Sequence, residues 1–257
     1  MKRHLIATVL AVVVLIALPP VVTSHDYGSV DMTARTILDF EFEGAYEDGN
    51  RVVDRSGSGN HGEYVGNGSN VSGGGLVFSP ETGHVRVDLR DDLEGPFTLS
   101  VRVRNPRHDY YAGIVDGDGW RLVAPDDRYE FTVGDSAVGF TADDGSKWHH
   151  LTVVSQDDTV RLYADGELVD SDSGAGNTSM EELLIGRRAG GYQYDGTISS
   201  VTVYDRALTA AEVRGASANR ATVRPILHTE AFRTAIVLAL GAVALFGARF
   251  EHRVRSP

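Results

Sequence analysis

Four tyrosines stand in two polar stretches, Tyr110 and Tyr111 in one and Tyr192 and Tyr194 in or beside the Gly-rich other. An aromatic face at such a place can stack on a sugar ring while neighbouring Asp and Asn side chains accept its hydroxyl protons. The same rings serve equally well as caps on a hydrophobic core. Glu41 and Glu43, at i and i+2 of an alternating run, share a strand face and bring two carboxylates near each other. His149 and His150 are adjacent, but no serine stands in the sharp-turn context of an activated nucleophile, so both read as strand-edge residues. Asp116-Gly117-Asp118-Gly119 has the outline of a calcium loop without the further acids and closing Glu of an EF-hand. Between Ile114-Val115 and Trp120-Arg121 it reads as a hairpin turn. Sequons at Asn67, Asn70 and Asn177 offer glycosylation sites if they face the exterior.

The elements that must position these residues are strands. Leu38, Phe40 and Phe42 alternate with Asp39, Glu41 and Glu43, and Phe97, Leu99, Val101 and Val103 alternate with Thr98, Ser100, Arg102 and Arg104, the period of half-buried strands. Further alternating runs follow at 113–115, 121–124, 130–133, 137–141, 150–154 and 160–163, separated by Gly, Asp and Asn turns. From Trp148 to Val169 the chain packs two hairpins, the second turning on Asp165-Gly166, and Trp148 reads as a packing residue. Val201 to Tyr204 is a last strand, and Thr209-Ala210-Ala211-Glu212 is a capping box opening one short helix. Asn67 to Gly75 reads as a Gly/Ser/Asn loop. Strands with turns at short intervals and no βα alternation predict antiparallel sheets packed face to face.

Four segments in order carry a resemblance: Asp54-Arg55-Ser56-Gly57-Ser58-Gly59-Asn60-His61-Gly62, Phe97-Thr98-Leu99-Ser100, the Trp148-to-Val169 hairpins, and Tyr194-to-Val213. Over about residues 36 to 216 the chain resembles the laminin-G-like jelly rolls of the concanavalin A-like lectin/glucanase superfamily. The resemblance implies an all-β, two-sheet antiparallel jelly-roll sandwich over residues 31–220 and recognition of a glycan or a glycosylated partner. It also implies two chemistries to test. Glucanases of the superfamily use a Glu-x-Asp-x-x-Glu strand, which this chain lacks, so no catalytic residue is assigned. A structural calcium would take a carboxylate from Phe42-Glu43-Gly44, making Glu43 the candidate ligand, and others from the closing strand. There the chain reads Ile198-Ser199-Ser200-Val201, with Ser199 and Ser200 where the family has acids, which weakens or abolishes such a site.

The ends place this domain. Met1-Lys2-Arg3-His4, an uncharged run from Leu5 to Leu18 and the exit Pro19 to Ser24 make residues 1–24 an export signal or an N-terminal anchor. Thr234 to Ala248 is uncharged and flanked by Arg233 and by Arg249, Arg253 and Arg255, so residues 231–249 read as a transmembrane helix and 250–257 as a basic cytoplasmic tail. Between the ends, His25 to Glu230 carries 18 Arg plus Lys against 35 Asp plus Glu, a balance of −17 that excludes nucleic acid as a partner. Lysine occurs only at Lys2 and Lys147, and the Asp-rich surface has the character of a protein that stays soluble in concentrated salt, a halophile signature. With no cysteine, stability must come from the core. The expectation is a membrane-held, outward-facing, non-catalytic binding domain. A scaffold subunit that contacts a protein is the alternative, and a glycoside hydrolase the remote one.

Overall fold

A computed structural model describes residues 36–42, 50–66, 70–104, 111–176 and 179–222. In chain order the strands are β1 Thr36–Glu41, β2 Arg51–Val52, β3 Gly62–Gly66, β4 Asn70–Ser72, β5 Gly75–Phe78, β6 Gly83–Glu94, β7 Phe97–Arg104, β8 Ala112–Gly117, β9 Trp120–Ala124, β10 Arg128–Val133, β11 Ser136–Thr141, β12 His149–Gln156, β13 Thr159–Ala164, β14 Glu167–Ser173, β15 Ser179–Ile185 and β16 Gly196–Tyr204, followed by helix α1 Ala210–Thr222. They form two eight-stranded antiparallel sheets. The first runs β14-β13-β12-β7-β16-β5-β4, with β1 also paired to β16, and the second runs β11-β10-β9-β8-β15-β6-β3-β2. This is the expected two-sheet sandwich.

Alternation sets which side chains meet between the sheets. Phe97, Leu99, Val101 and Val103 of β7 turn inward with Leu122, Phe131 and Ile185 of the facing sheet, all buried. Phe97, Trp120 and Phe131 pack as tilted rings 5.4–6.4 Å apart. A bulge between Ile198 and Ser200 re-phases β16, so Ile198, Val201 and Val203 fall opposite Val103, Val101 and Leu99.

The Asp54-to-Gly62 loop is knit into the fold by two buried polar side chains. Asp54 accepts the backbone N–H groups of Asp39, Ser56 and Asn60 and the Ser56 hydroxyl, at 2.8–3.0 Å. Asn60 donates to the Ile37 carbonyl and accepts from the Arg90 N–H, tying the loop to β1 and β6. At the far edge, Asp170 and Asp172 of β14 accept the N–H groups of Gly139 and Ala137 on β11, so carboxylates of one sheet satisfy the open edge of the other.

The capping box forms. Glu212 accepts the Thr209 N–H at 2.6 Å, the Glu212 N–H donates to the Thr209 hydroxyl, and Arg206 pairs with Glu212 at 2.8 Å. The helix it opens lays Val213 against Val154, Tyr163, Tyr204 and Leu208 on the outer face of the first sheet, a second small core. The segment read as a loop from Asn67 to Gly75 is in part a hairpin: β4 and β5 pair about Gly73-Gly74. Among the described residues no helix is long and apolar enough to cross a membrane. Residues 1–24, 231–249 and 250–257 lie outside the described residues.

Candidate functional site

The site grows from β8, β9 and β10. With Trp120, Leu122, Phe131 and Val133 turned into the core, the intervening Arg121, Val123, Glu130 and Thr132 must face outward, and cross-strand register sets Glu130 beside Val123 and Thr132 beside Arg121. Against this face lies the loop between β15 and β16. The Gly113 N–H donates to the Tyr192 carbonyl at 3.3 Å, and the Arg188 N–H donates to the same oxygen at 3.0 Å. A Cβ on Gly113 would stand 2.4 Å from the Arg188 nitrogen, so only glycine lets the loop approach this closely. Asp116 of β8 completes the fastening by accepting the Ala189 N–H at 2.6 Å.

The result is a depression of about 410 Å³ lined by Tyr111, Arg121, Val123, Glu130, Thr132 and Arg188. Val123 is buried and makes an apolar floor under polar walls. Tyr192 stands at the rim, 48% exposed, with the Arg188 guanidinium 5.0 Å from its ring centre. Tyr111, 38% exposed, holds a left-handed backbone (φ 54°) where the chain enters β8. An exposed ring, two guanidiniums, a carboxylate and a threonine hydroxyl around an apolar floor, with a second exposed ring beside Arg188, can stack a ring and exchange several hydrogen bonds with it. Burial pushes the Asp116 carboxyl above its usual range, and the Ala189 N–H with the charges of Arg121 and Arg188 works against that rise.

Of the four tyrosines expected to bind, Tyr111 lines the depression, and Tyr192 lies next to it through its contact with Arg188. Tyr194 is corrected: it is fully buried, its ring 6.5 Å from Phe78 and its hydroxyl donating to the Arg104 carbonyl, so it has no face to offer a ligand. Burial drives its hydroxyl well above the ordinary value. Tyr110 lies outside the described residues, as do Asn67, Asn177 and the side chain of Asn70. Arg121, Val123, Glu130, Thr132 and Arg188 were not singled out from the sequence, though the alternation of β9 and β10 marks the first four as outward-facing.

Glu43 also lies outside the described residues. The strand ends that would share a calcium do meet, since the Phe42 N–H donates to the Ser199 carbonyl at 2.9 Å and Glu41 lies beside Ser200. Buried serines stand where the closing strand would need carboxylates, and among the described residues no three acids or histidines gather to hold a metal. Asp118-Gly119 is the turn between β8 and β9.

The outer face of the first sheet differs from expectation at two places. Trp148 is not a core residue; it is half-buried, with Arg102 and Arg104 stacked on its ring at 4.5 and 5.1 Å. His150 is buried with Nε2 2.7 Å from the Ser100 hydroxyl, while Asp165 accepts the His150 backbone N–H and contacts the His149 ring at 3.1 Å. The hydrogen bond to Asp165 holds His149 above its usual value against the opposing effect of burial.

Comparison with known proteins agrees with this architecture. No curated protein sequence matches the chain. Among solved structures, the binding domain of botulinum neurotoxin serotype D superposes with a TM-score of 0.61 at 15% identity, over 74% of this chain and 53% of its own. The binding domain of botulinum neurotoxin DC, solved with rat synaptotagmin II, gives 0.58 at 16% identity, over 73% and 52%. A type C neurotoxin structure, titled for cell entry that depends on two ganglioside molecules, gives 0.57 at 16%, over 73% and 51%. The chain thus spans about half the length of these binding domains, and at such identity the likeness is one of fold. Residues 79–214 match the laminin G model of the concanavalin A-like lectin/glucanases superfamily, and the chain belongs to that family.

Proposed function

We propose that this protein is a non-catalytic carbohydrate-recognition module held at the cell surface, the sandwich facing outward and residues 231–249 anchoring it. The observation that carries the reading is the Val123-floored depression with Tyr111 and Tyr192 exposed beside it. Protein interiors bury such rings, and two left open around polar groups suit a saccharide. The ganglioside and receptor complexes named for proteins of similar fold support a binding role. A non-catalytic role is supported by the burial of the Ser100–His150 pair: the two are 2% and 5% exposed, closed to a polysaccharide, and Asp165 takes the main-chain N–H of His150.

The test is a glycan array probed with the full chain in detergent, alongside Tyr192→Ala and the core variant Tyr194→Phe. Binding lost in the first and kept in the second supports the depression, whereas no bound glycan overturns the reading. Reducing-end release from mixed polysaccharides would overturn its non-catalytic part. A scaffold role is favoured by one feature, the edge strand β14 with Leu168 and Val169 exposed at 53% and 40%. Silence of the array together with a protein crosslinked through β14 in cells would establish that alternative.

A further inference from the structure

The charge of the depression narrows its ligand. Ion pairs engage Arg86, Arg128, Lys147, His149 and Arg206, among others. Arg121 and Arg188 form none with a described residue, in a chain whose net charge is −12 and where acids outnumber basic residues 36 to 24. Arg121 goes further: its Nε is buried and has no hydrogen-bond partner. Leaving a charged donor dry and unpaired is costly, and an acceptor supplied at this guanidinium by a ligand would relieve that cost. Arg188 lies against the Tyr192 ring, which fixes the guanidinium plane and leaves its N–H edge free to meet an oxyanion.

The carboxylate that lines the depression and the one behind it are otherwise engaged. Glu130 lies 3.8 Å from Arg128, and Asp116 accepts the Ala189 N–H. Both retain lone pairs for sugar hydroxyls, and Asp116 acts on the two guanidiniums only through space, without a direct ion pair to either. Resting on the carbohydrate reading above, we propose that the depression selects acidic saccharides, with Arg121 and Arg188 gripping a single carboxylate or sulfate on a sugar ring packed between Tyr111 and Tyr192 over Val123.

Three matched probes test this with the full chain in detergent: lactose, 3′-sialyllactose and 3′-sulfolactose. At least one acidic probe should bind roughly tenfold or more tighter than lactose, as expected for a charge-assisted pair, and the better acidic probe identifies the oxyanion. Arg121→Gln and Arg188→Gln, which keep the aliphatic stems, should each remove most of that preference, weakening the acidic probe far more than lactose. Arg188→Lys should fall between, since it keeps the charge and loses the planar fork. Unchanged near-ultraviolet circular dichroism would show that the variants are folded. Lactose bound as tightly as both acidic probes, or Gln variants that keep the preference, overturns the acidic selectivity and leaves carbohydrate recognition standing; silence of all three probes and of the wider array overturns both.

Discussion

At the scale of single residues, Asp54 and His149 show how differently one polar group can act. Asp54 satisfies four donors in a buried loop, so Asp54→Ala leaves several of them unpaired. The expected cost is roughly 3 kcal/mol, read as a fall of about 10 °C in thermal midpoint; a fall within a degree or two would show that the loop is not held from Asp54. His149 makes a pH prediction. Its folded value is raised by Asp165, so its contribution is complete below the unfolded value of about 6.5 and drains away as pH climbs through the higher folded one. The wild-type midpoint should decline across that window, and His149→Gln should flatten the decline. A wild-type slope that survives the substitution would assign it to another group.

Tyr192 and Tyr194 mark where single-residue reading stops. Two apart in a strand, they would share a face; here they flank Gln193, whose bridge to Arg187 closes a turn with Tyr192 inside it and Tyr194 beyond, so period two does not apply. One emerges beside Arg188 and the other enters the core under Arg104. Nothing local separates them, because the difference is set by where β16 begins. Trp148 fails for a related reason, since it precedes β12 and the alternation of Leu151 and Val153 does not extend to it.

At the scale of elements, strands whose sequence alternates were legible: β7, β12, β13 and the Val201-to-Tyr204 part of β16 carry the pattern, along with two of the turns. The register between them was not. The depression exists because β15 ends beside β8, eighth and fifteenth in the chain, a pairing that no spacing encodes. The β6 strand shows another limit: Val85, Val87 and Leu89 alternate clearly, but the strand runs on through Asp91 and Asp92, acids that ordinarily end one. Helix α1 was legible from its cap alone. Thr209→Ala should cost about 1 kcal/mol, and because Val213 seats the helix on the first sheet, amide exchange along residues 210–218 should quicken before the core opens. Equal acceleration in β7 would mean the helix and sandwich unfold as one unit.

At the scale of the whole molecule, the proposed orientation follows from the ends of the chain and from the acidic balance of what lies between them. Protease added to intact cells should remove the sandwich while cytosolic markers stay whole. Full protection would place the domain on the other side and remove the glycan reading with it. The surplus of acid also predicts a salt response: with repulsion among the carboxylates screened, the thermal midpoint should rise between about 0.1 M and 1 M KCl. A steady fall would mean that ion pairs outweigh that repulsion.

Only two indoles are present, and the fold separates them completely. Trp120 is sealed between Phe97 and Phe131, whereas Trp148 lies under two guanidiniums at the surface. Iodide, drawn to the cationic pair, should quench the red-shifted emission of the second and spare the blue-shifted emission of the first. One fluorescence spectrum therefore carries two independent clocks, one for events on the outer face and one for collapse of the interior, with no label attached.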